Sequence, residues 1–272
     1  EAFHMGLKKS PAGAAARTYL EERSLDQSVI DQFLIGCAPP QWDFVTTWGP
    51  KNGFPIELLL QAGLIVRNER PDATNPYYDR FRGRIVFPIR DEQGRVVAFS
   101  ARTMESDPGV AKYVNSPETP LFRKGNILYA MDLARRPMVE TREAILCEGQ
   151  IDVIRCHSAG FTTAVAAQGT AFTEDHARIL HRYADCAVLM FDSDEAGINA
   201  AQRTAVILMQ AGLSVRVASL PEDEDPDSFI KAKGAAAFKA VSDEATSMVE
   251  FQVRILSKRE NIRTEVGLKR VT

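Results

Sequence analysis

The stretch Ala187-Val188-Leu189-Met190-Phe191-Asp192-Ser193-Asp194 decides the fold of this chain. Every residue from Ala187 to Phe191 is apolar, and the run stops abruptly at acid. A strand with one exposed face alternates apolar and polar residues, whereas a strand buried on both faces of a parallel sheet does not. The same pattern occurs upstream in Ala144-Ile145-Leu146-Cys147-Glu148-Gly149. In an open α/β sheet, ligands bind beyond the carboxyl ends of the strands, so both sets of acids stand where a site is expected. Asp192 and Asp194 are two residues apart and project to the same side of an extended chain. If the two strands are neighbours, Glu148 joins them. Carboxylates a few ångströms apart repel by about 4 kcal/mol per pair at an effective dielectric near 20. Mg²⁺ is the natural neutraliser, since it takes one or two carboxylates and keeps positions for water and phosphate. A lone Asp-x-Asp after a strand is commonly a turn or a helix cap. The coincidence of two such runs points to a metal site.

The surroundings alternate regularly. Strands are expected at 144–147, 162–167, 186–191 and 214–219. Helices are expected from Asp152 to Ser158, from Glu174 to Tyr183 with Thr173 as cap, and from Gly197 to Gln210 with Gly212 as stop. This order implies a parallel sheet with right-handed crossovers. The acid run Glu222-Asp223-Glu224-Asp225-Pro226-Asp227 reads, by itself, as a solvated loop. Residues 235–260 are helical in pattern, with Phe238, Val241, Met248, Phe251, Ile255 and Leu256 as a core-facing stripe. His157, His176 and His181 fall on the expected helices and read as structural or surface residues.

The preceding half has a different character. Residues 1–11 read as irregular or extraneous to the domain. Ala14 to Glu22 is a helix of good helix formers. Ser24 with Gln27 resembles a capping box before the apolar residues Val29, Ile30, Phe33 and Leu34, which stop at Gly36 and Pro39-Pro40. Pro55 opens a helix through Leu60 that Gly63 closes. Arg84 to Arg90 and Arg95 to Thr103 form a hairpin around the turn Asp91-Glu92-Gln93-Gly94. Arg80, Arg82, Arg84, Arg90, Arg95 and Arg102 decorate it, with Tyr77, Tyr78, Phe81 and Phe99 interleaved. A solvated basic edge strand accounts for such a pattern. So does a groove in which arginines follow phosphates and an aromatic ring stacks on a base. The segment Lys112-Tyr113-Val114-Asn115-Ser116-Pro117, then Arg123-Lys124-Gly125, adds a second basic cluster that reads as loop.

Composition limits the classes. The chain has 272 residues, 45% of them apolar and 25% charged, with a net charge of −3, as in ordinary globular proteins. No apolar run approaches the ~20 residues of a membrane span, and no signal peptide is visible. Cys37, Cys147, Cys156 and Cys186 form no Cys-x-x-Cys pair, which argues against zinc. Cys147 and Cys186 fall in or beside buried strands and read as reduced core residues of a cytoplasmic protein. The first residue is not Met and the last lie inside a helical pattern, so a fragment of a longer protein is expected.

Glu148-Gly149-x-x-Asp152, Gly169-Thr170, Asp192-x-Asp194-x-Ala196-Gly197 and Asp225-Pro226-Asp227 together resemble the Toprim domain of bacterial DNA primases of the DnaG type. Upstream, Tyr78-Asp79-Arg80-Phe81-Arg82-Gly83-Arg84 with Phe87-Pro88-Ile89-Arg90-Asp91 is similar to the basic hairpin of that family. Lys112-Tyr113-x-Asn115-Ser116-Pro117-Glu118-Thr119, followed by Phe122-x-Lys124-Gly125, is similar to its second basic motif, and Ile35-Gly36-x-Ala38-Pro39 also matches. Gln150 stands where the family usually has an aromatic residue, and Ser193 where it usually has Gly.

The resemblance implies an α/β Toprim fold, Rossmann-like with a mostly parallel sheet. A basic α+β subdomain over 1–140 precedes the Toprim domain at 141–222, and a helical subdomain begins at 223–272. It implies DNA-templated synthesis of RNA primers from ribonucleoside triphosphates by two-metal phosphoryl transfer. Glu148, Asp192 and Asp194 would be catalytic and hold Mg²⁺, with Mn²⁺ able to substitute. Asp152, Asp225 and Asp227 would bind or orient further metal; Asp152 reads equally as an N-terminal helix charge. Arg80, Arg82, Arg102, Lys112 and Lys124 would contact template or nucleotide phosphates, with Tyr113 stacking and Asn115 as a polar contact. Implied partners are single-stranded DNA, the nucleotides, the RNA primer and, through a C-terminal domain absent here, a replicative helicase. The core would act as a monomer without a membrane. The family's zinc-binding domain is likewise absent. Two alternatives stay open: a Toprim nuclease or topoisomerase-like enzyme, and a non-catalytic single-strand-binding or helicase-loading module.

Overall fold

Where an irregular leader is expected, the chain opens with helix α1 (Ala2–Lys9). In this computed structural model, which describes residues 1–70, 74–104, 109–222 and 224–259, α1 is held by packing rather than propensity. Leu7 is buried, and His4 Nδ1 lies 2.7 Å from the Ile35 carbonyl oxygen. Gly36, expected as a helix stop, instead begins strand β1 (Gly36–Ala38). A Cβ there would stand 2.6 Å from the Phe3 carbonyl carbon, so only glycine lets α1 lie on β1. Helix α2 (Ala14–Glu22) forms as expected. The Ser24 capping box does not form: α3 (Gln27–Gln32) is capped by Asp26, whose Oδ1 accepts from Val29 N at 2.9 Å.

The chain divides into two compact units, Glu1–Asp132 and Leu133 onward. The first contains α4 (Phe44–Lys51), α5 (Ile56–Gln61), β2 (Ile65–Arg67) and β3 (Tyr77–Asp79). The basic hairpin is β4 (Arg84–Arg90) with β5 (Val96–Thr103), and β6 (Tyr113–Asn115) follows. The sheet order is β1-β4-β5-β6, antiparallel throughout. Residues 113–115, expected as loop, are thus an edge strand, with Arg102 opposite Tyr113. One face of the sheet closes over Ala38, Phe81, Val86 and Ala101. Strand β7 (Leu128–Tyr129) and helix α6 (Met131–Thr141) complete the passage towards the second unit.

The second unit carries the expected alternation. It comprises β8 (Glu143–Cys147), α7 (Gln150–Ser158), β9 (Ala164–Ala167), α8 (Glu174–His181), β10 (Cys186–Met190), α9 (Glu195–Gln210) and β11 (Ser214–Val217). Ends differ from expectation by a few residues, as helix and strand termini commonly do. Thr173 caps α8: its Oγ1 accepts from His176 N, and His176 Nδ1 accepts from Thr173 N, each at 3.2 Å. The five strands of this unit run in the order β12-β11-β10-β8-β9. The last four are parallel, and β12 (Thr246–Ser247) is an antiparallel edge. Ala144, Leu146, Val188 and Leu189 are almost wholly buried, in keeping with a sheet covered on both faces. The terminal helical region is two helices, α10 (Pro226–Asp243), broken at Gly234 with φ 82° and ψ 171°, and α11 (Met248–Arg259). It begins earlier than the expected 235. Asp223, residue 260 and the side chain of Leu256 lie outside the described residues. No helix among the described residues is long and apolar enough to cross a membrane.

Candidate functional site

Strands β8 and β10 are neighbours in parallel register, with Cys147 opposite Met190, so the acids that follow them emerge at the same edge. Glu148 Oε1 accepts a hydrogen bond from Asp192 N at 3.0 Å. Asp194 caps α9, its Oδ1 accepting from Gly197 N at 2.7 Å. Gly197 is required by proximity, because a Cβ on it would come within 2.7 Å of Glu148 Oε1. The motif Asp192-x-Asp194-x-Ala196-Gly197 therefore folds one carboxylate into a cap and leaves room for another.

The acid run 222–227 is not simply a solvated loop. Asp225 caps α10, its Oδ1 accepting from Ser228 N at 2.6 Å, and Pro226 occupies the first helical turn. Asp227 is buried and paired with Arg155, whose Nε donates to Oδ1 at 2.8 Å. Asp152, in the first turn of α7, accepts from Gly149 N at 3.2 Å and from Asp227 N at 3.4 Å. It is both the helix-start acid and a member of the acid cluster.

Electrostatics bind these groups together. Burial pushes the Glu148 carboxyl up, and the charges of Asp192 and Asp194 push in the same direction. Asp152 is pushed up to about 8, first by burial, then by Asp225, Asp192 and Asp227. Such shifts mark carboxylates short of positive charge. The donors are all oxygen, the chemistry that Mg²⁺ prefers. Among the described residues, no three His, Cys, Asp or Glu side chains already converge closely enough to grip an ion. The set fits a hard cation in charge and donor type, and the carboxylates of Glu148, Asp152, Asp194 and Asp225 accept from backbone N–H groups. The two departures from the family, Gln150 and Ser193, each keep a buried polar atom, Nε2 and Oγ, without a hydrogen-bond partner.

The basic residues of the first unit divide into two groups. Arg84 is buried and donates to the Ala111 carbonyl oxygen at 2.9 Å. Arg90 pairs with Asp132 at 3.0 Å, and Arg95 with Asp91 at 2.7 Å. These three serve the hairpin. Arg80 donates from Nε to the Asn115 carbonyl oxygen at 3.0 Å, tying β6 to the chain after β3. Arg82 donates to the Asp79 carbonyl oxygen and lies 3.9 Å over the Trp42 ring and 5.4 Å over that of Tyr78. Arg102 sits over Tyr19 at 5.1 Å and Tyr113 at 5.7 Å. Lys112 is exposed and Lys124 half-buried. Trp42, 61% exposed, was not singled out from the sequence. Its signal was a large aromatic residue just after Pro39-Pro40, where no core periodicity claims it.

Two family models match the chain: "DNA primase catalytic core, N-terminal domain" over residues 2–135, and "Toprim-like" over residues 145–230. A DNA primase of Halalkalibacterium halodurans is 40% identical over 264 residues, covering 97% of this chain and 43% of the relative. The chain thus spans less than half the length of that curated relative. Among solved structures, the RNA polymerase domain of Mycobacterium tuberculosis primase DnaG superposes with a TM-score of 0.89 at 34% identity, covering 100% of this chain and 88% of that one. A DnaG primase catalytic domain bound to ssDNA superposes with a TM-score of 0.84 at 37% identity, covering 99% and 83%.

Proposed function

The chain belongs to the family of DnaG-type DNA primase catalytic cores, and from that premise we propose that it synthesises short RNA primers during DNA replication. The template is single-stranded DNA and the substrates are ribonucleoside triphosphates. The observation that carries this reading is the placement of the acids: Glu148 and Asp192 follow neighbouring parallel strands, with Cys147 opposite Met190, and Glu148 Oε1 accepts from Asp192 N at 3.0 Å, a crowding of carboxylates that creates a demand for a cation.

Glu148, Asp192 and Asp194 hold the divalent metal, Mg²⁺ with Mn²⁺ as substitute, and Asp152 and Asp225 add negative charge behind them. When bound, the metal supplies charge stabilisation to the attacking 3′-oxygen and the leaving pyrophosphate. The chain's own contribution is positioning. The cap at Asp194 and the hydrogen bond from Asp192 N to Glu148 fix the two strand ends relative to each other. Arg80, Arg82, Arg102, Lys112 and Lys124 face template or nucleotide phosphates. Tyr113 and Trp42 offer rings for stacking, and Asn115 a polar contact. The related catalytic domain bound to ssDNA supports a DNA template here. The core works as a monomer in the cytoplasm, and a replicative helicase engages the protein elsewhere than in this core.

The test is synthesis itself. Incubated with single-stranded DNA, labelled ribonucleotides and Mg²⁺ or Mn²⁺, the chain is expected to yield short alkali-sensitive products. Asp192→Ala should lower the yield by at least about 10²-fold, since losing a few kcal/mol of transition-state stabilisation costs that much, with circular dichroism unchanged. Cleaved DNA in place of RNA would establish the nuclease alternative.

A further inference from the structure

Arg155 is almost wholly buried on α7, a place arginine takes only when paired. Its partner Asp227 lies 72 residues on, in the first turn of α10, and both side chains are more than nine-tenths removed from water. Asp227 N in turn donates to Asp152 Oδ1. A guanidinium supplied by the chain therefore sits at one end of an acid cluster that is otherwise short of positive charge.

We infer that Arg155 is a built-in counter-cation and positioning residue: it neutralises Asp227, withdraws that carboxylate from metal ligation, and ties α10 to α7 so that Asp152 and Asp225 are in place before any metal arrives. This inference rests on the metal-dependent reading above. The acid centre is then lopsided. Glu148, Asp192 and Asp194 form the side that is open to a cation, whereas a divalent ion taking Asp227 Oδ1 would displace a buried, charge-assisted hydrogen bond. The geometry agrees: Asp227 faces Arg155 through Oδ1, while its backbone N–H, not its carboxylate, is what meets Asp152. The sequence motif alone treats Asp225 and Asp227 as equivalent. The structure separates them into a helix cap and an ion pair.

Mn²⁺ binding to the metal-stripped chain, followed by the free-ion electron paramagnetic resonance signal, tests this without turnover. The double variant Arg155→Gln/Asp227→Asn removes both charges and keeps a neutral hydrogen-bonding pair. It should bind Mn²⁺ with the parent's stoichiometry and within about twofold of its affinity, whereas Asp192→Asn should lose at least about tenfold. The single variant Arg155→Gln, which frees the Asp227 carboxylate, should bind Mn²⁺ more tightly, and Arg155→Lys should return it to the parental value. A double variant that loses an ion, or weakens as much as Asp192→Asn, overturns the inference. Should that variant not fold, the parent protein decides. The Arg155 ¹⁵Nε resonance should stay in place on saturation with Mg²⁺, and its displacement would mean that metal takes Asp227. If Asp192→Asn binds Mn²⁺ like the parent, it is the metal-centre reading that fails, not the role of Arg155.

Discussion

The two charged regions of this molecule treat charge in opposite ways. In the first unit, arginines crowd a hairpin, yet Arg84, Arg90 and Arg95 each end on a carbonyl or a carboxylate of the same unit. In the second, carboxylates crowd two strand ends, and burial and mutual repulsion leave Glu148 and Asp152 poorly compensated. A guanidinium has five donors and readily finds carbonyls to satisfy. Carboxylates crowded against carboxylates keep a repulsion that backbone N–H donors offset in part and a cation or a proton removes. Density of like charge in a sequence is therefore weak support for a ligand when the charge is arginine, and stronger when it is acid at the end of a buried strand.

The largest effect expected at fixed pH breaks this comparison from within the basic unit. Asp79 is 1% exposed and accepts from Val45 N at 2.6 Å and Thr46 N at 3.0 Å. It is an acid held by the first turn of α4 rather than by an arginine. Asp79→Ala leaves two buried donors unsatisfied at roughly 1–3 kcal/mol each. Thermal unfolding should shift down by roughly 10 °C for about 3 kcal/mol, and Asp79→Asn should recover part of it.

That same contact explains where the sequence was legible. β8 and β10 could be read because a strand buried on both faces shows an unbroken apolar run, and the hairpin because its turn chemistry is local. Helix α4 could not. Thr46, Thr47, Gly49 and Pro50 are poor helix formers, and Asp79 caps it from 33 and 34 residues away. Helix α1 depends on Gly36, and β6 on pairing with β5, both of them non-local. In the site, Glu148, Asp192 and Asp194 were legible as acids ending strands, while Arg155 gave no signal because its partner lies on another helix. Trp42 gave none because its meaning depends on Arg82 lying over it.

A pH-dependent effect sharpens the acid side. The unfolded pKa of an aspartate is about 3.9, and in the fold Asp152 is raised to about 8. Between these values the native chain binds more protons than the unfolded one, so stability falls as pH rises through that window. In EDTA, the melting temperature should decline between about pH 4 and 8, and Asp152→Asn should flatten the decline. Mg²⁺ should raise the melting temperature most at the upper end, where it competes with the fewest protons. Equal slopes with and without the carboxylate would assign the pH dependence to other groups.

On the basic side, Arg82 and Trp42 are expected to carry template contacts where Arg84 does not. Arg82→Ala should weaken single-stranded DNA binding by about tenfold and reduce the salt slope by about 0.7, the value for one phosphate on a single strand. Trp42→Ala should weaken binding by a similar factor, since stacking is worth roughly 1–3 kcal/mol per base, and leave the salt slope unchanged. Fluorescence anisotropy across a salt series separates the two. If both variants change the slope equally, Trp42 acts only by holding Arg82 in place.

The smallest effect comes from the hairpin tip. Arg95 is 77% exposed in its side chain and pairs with Asp91 inside the turn, 2.7 Å from Nε to Oδ2. Exposed pairs are worth about 0–1 kcal/mol, so Arg95→Ala should barely move the melting temperature. Because its charge is already matched by Asp91, single-strand affinity and its salt slope should also stay close to the parent's. The same titration that follows Arg82 measures this. An Arg95→Ala slope reduced as far as that of Arg82→Ala would mean that the tip joins the phosphate path and that Asp91 yields its partner to DNA. The contrast between internally matched arginines and mutually repelling acids would then hold only for the DNA-free chain.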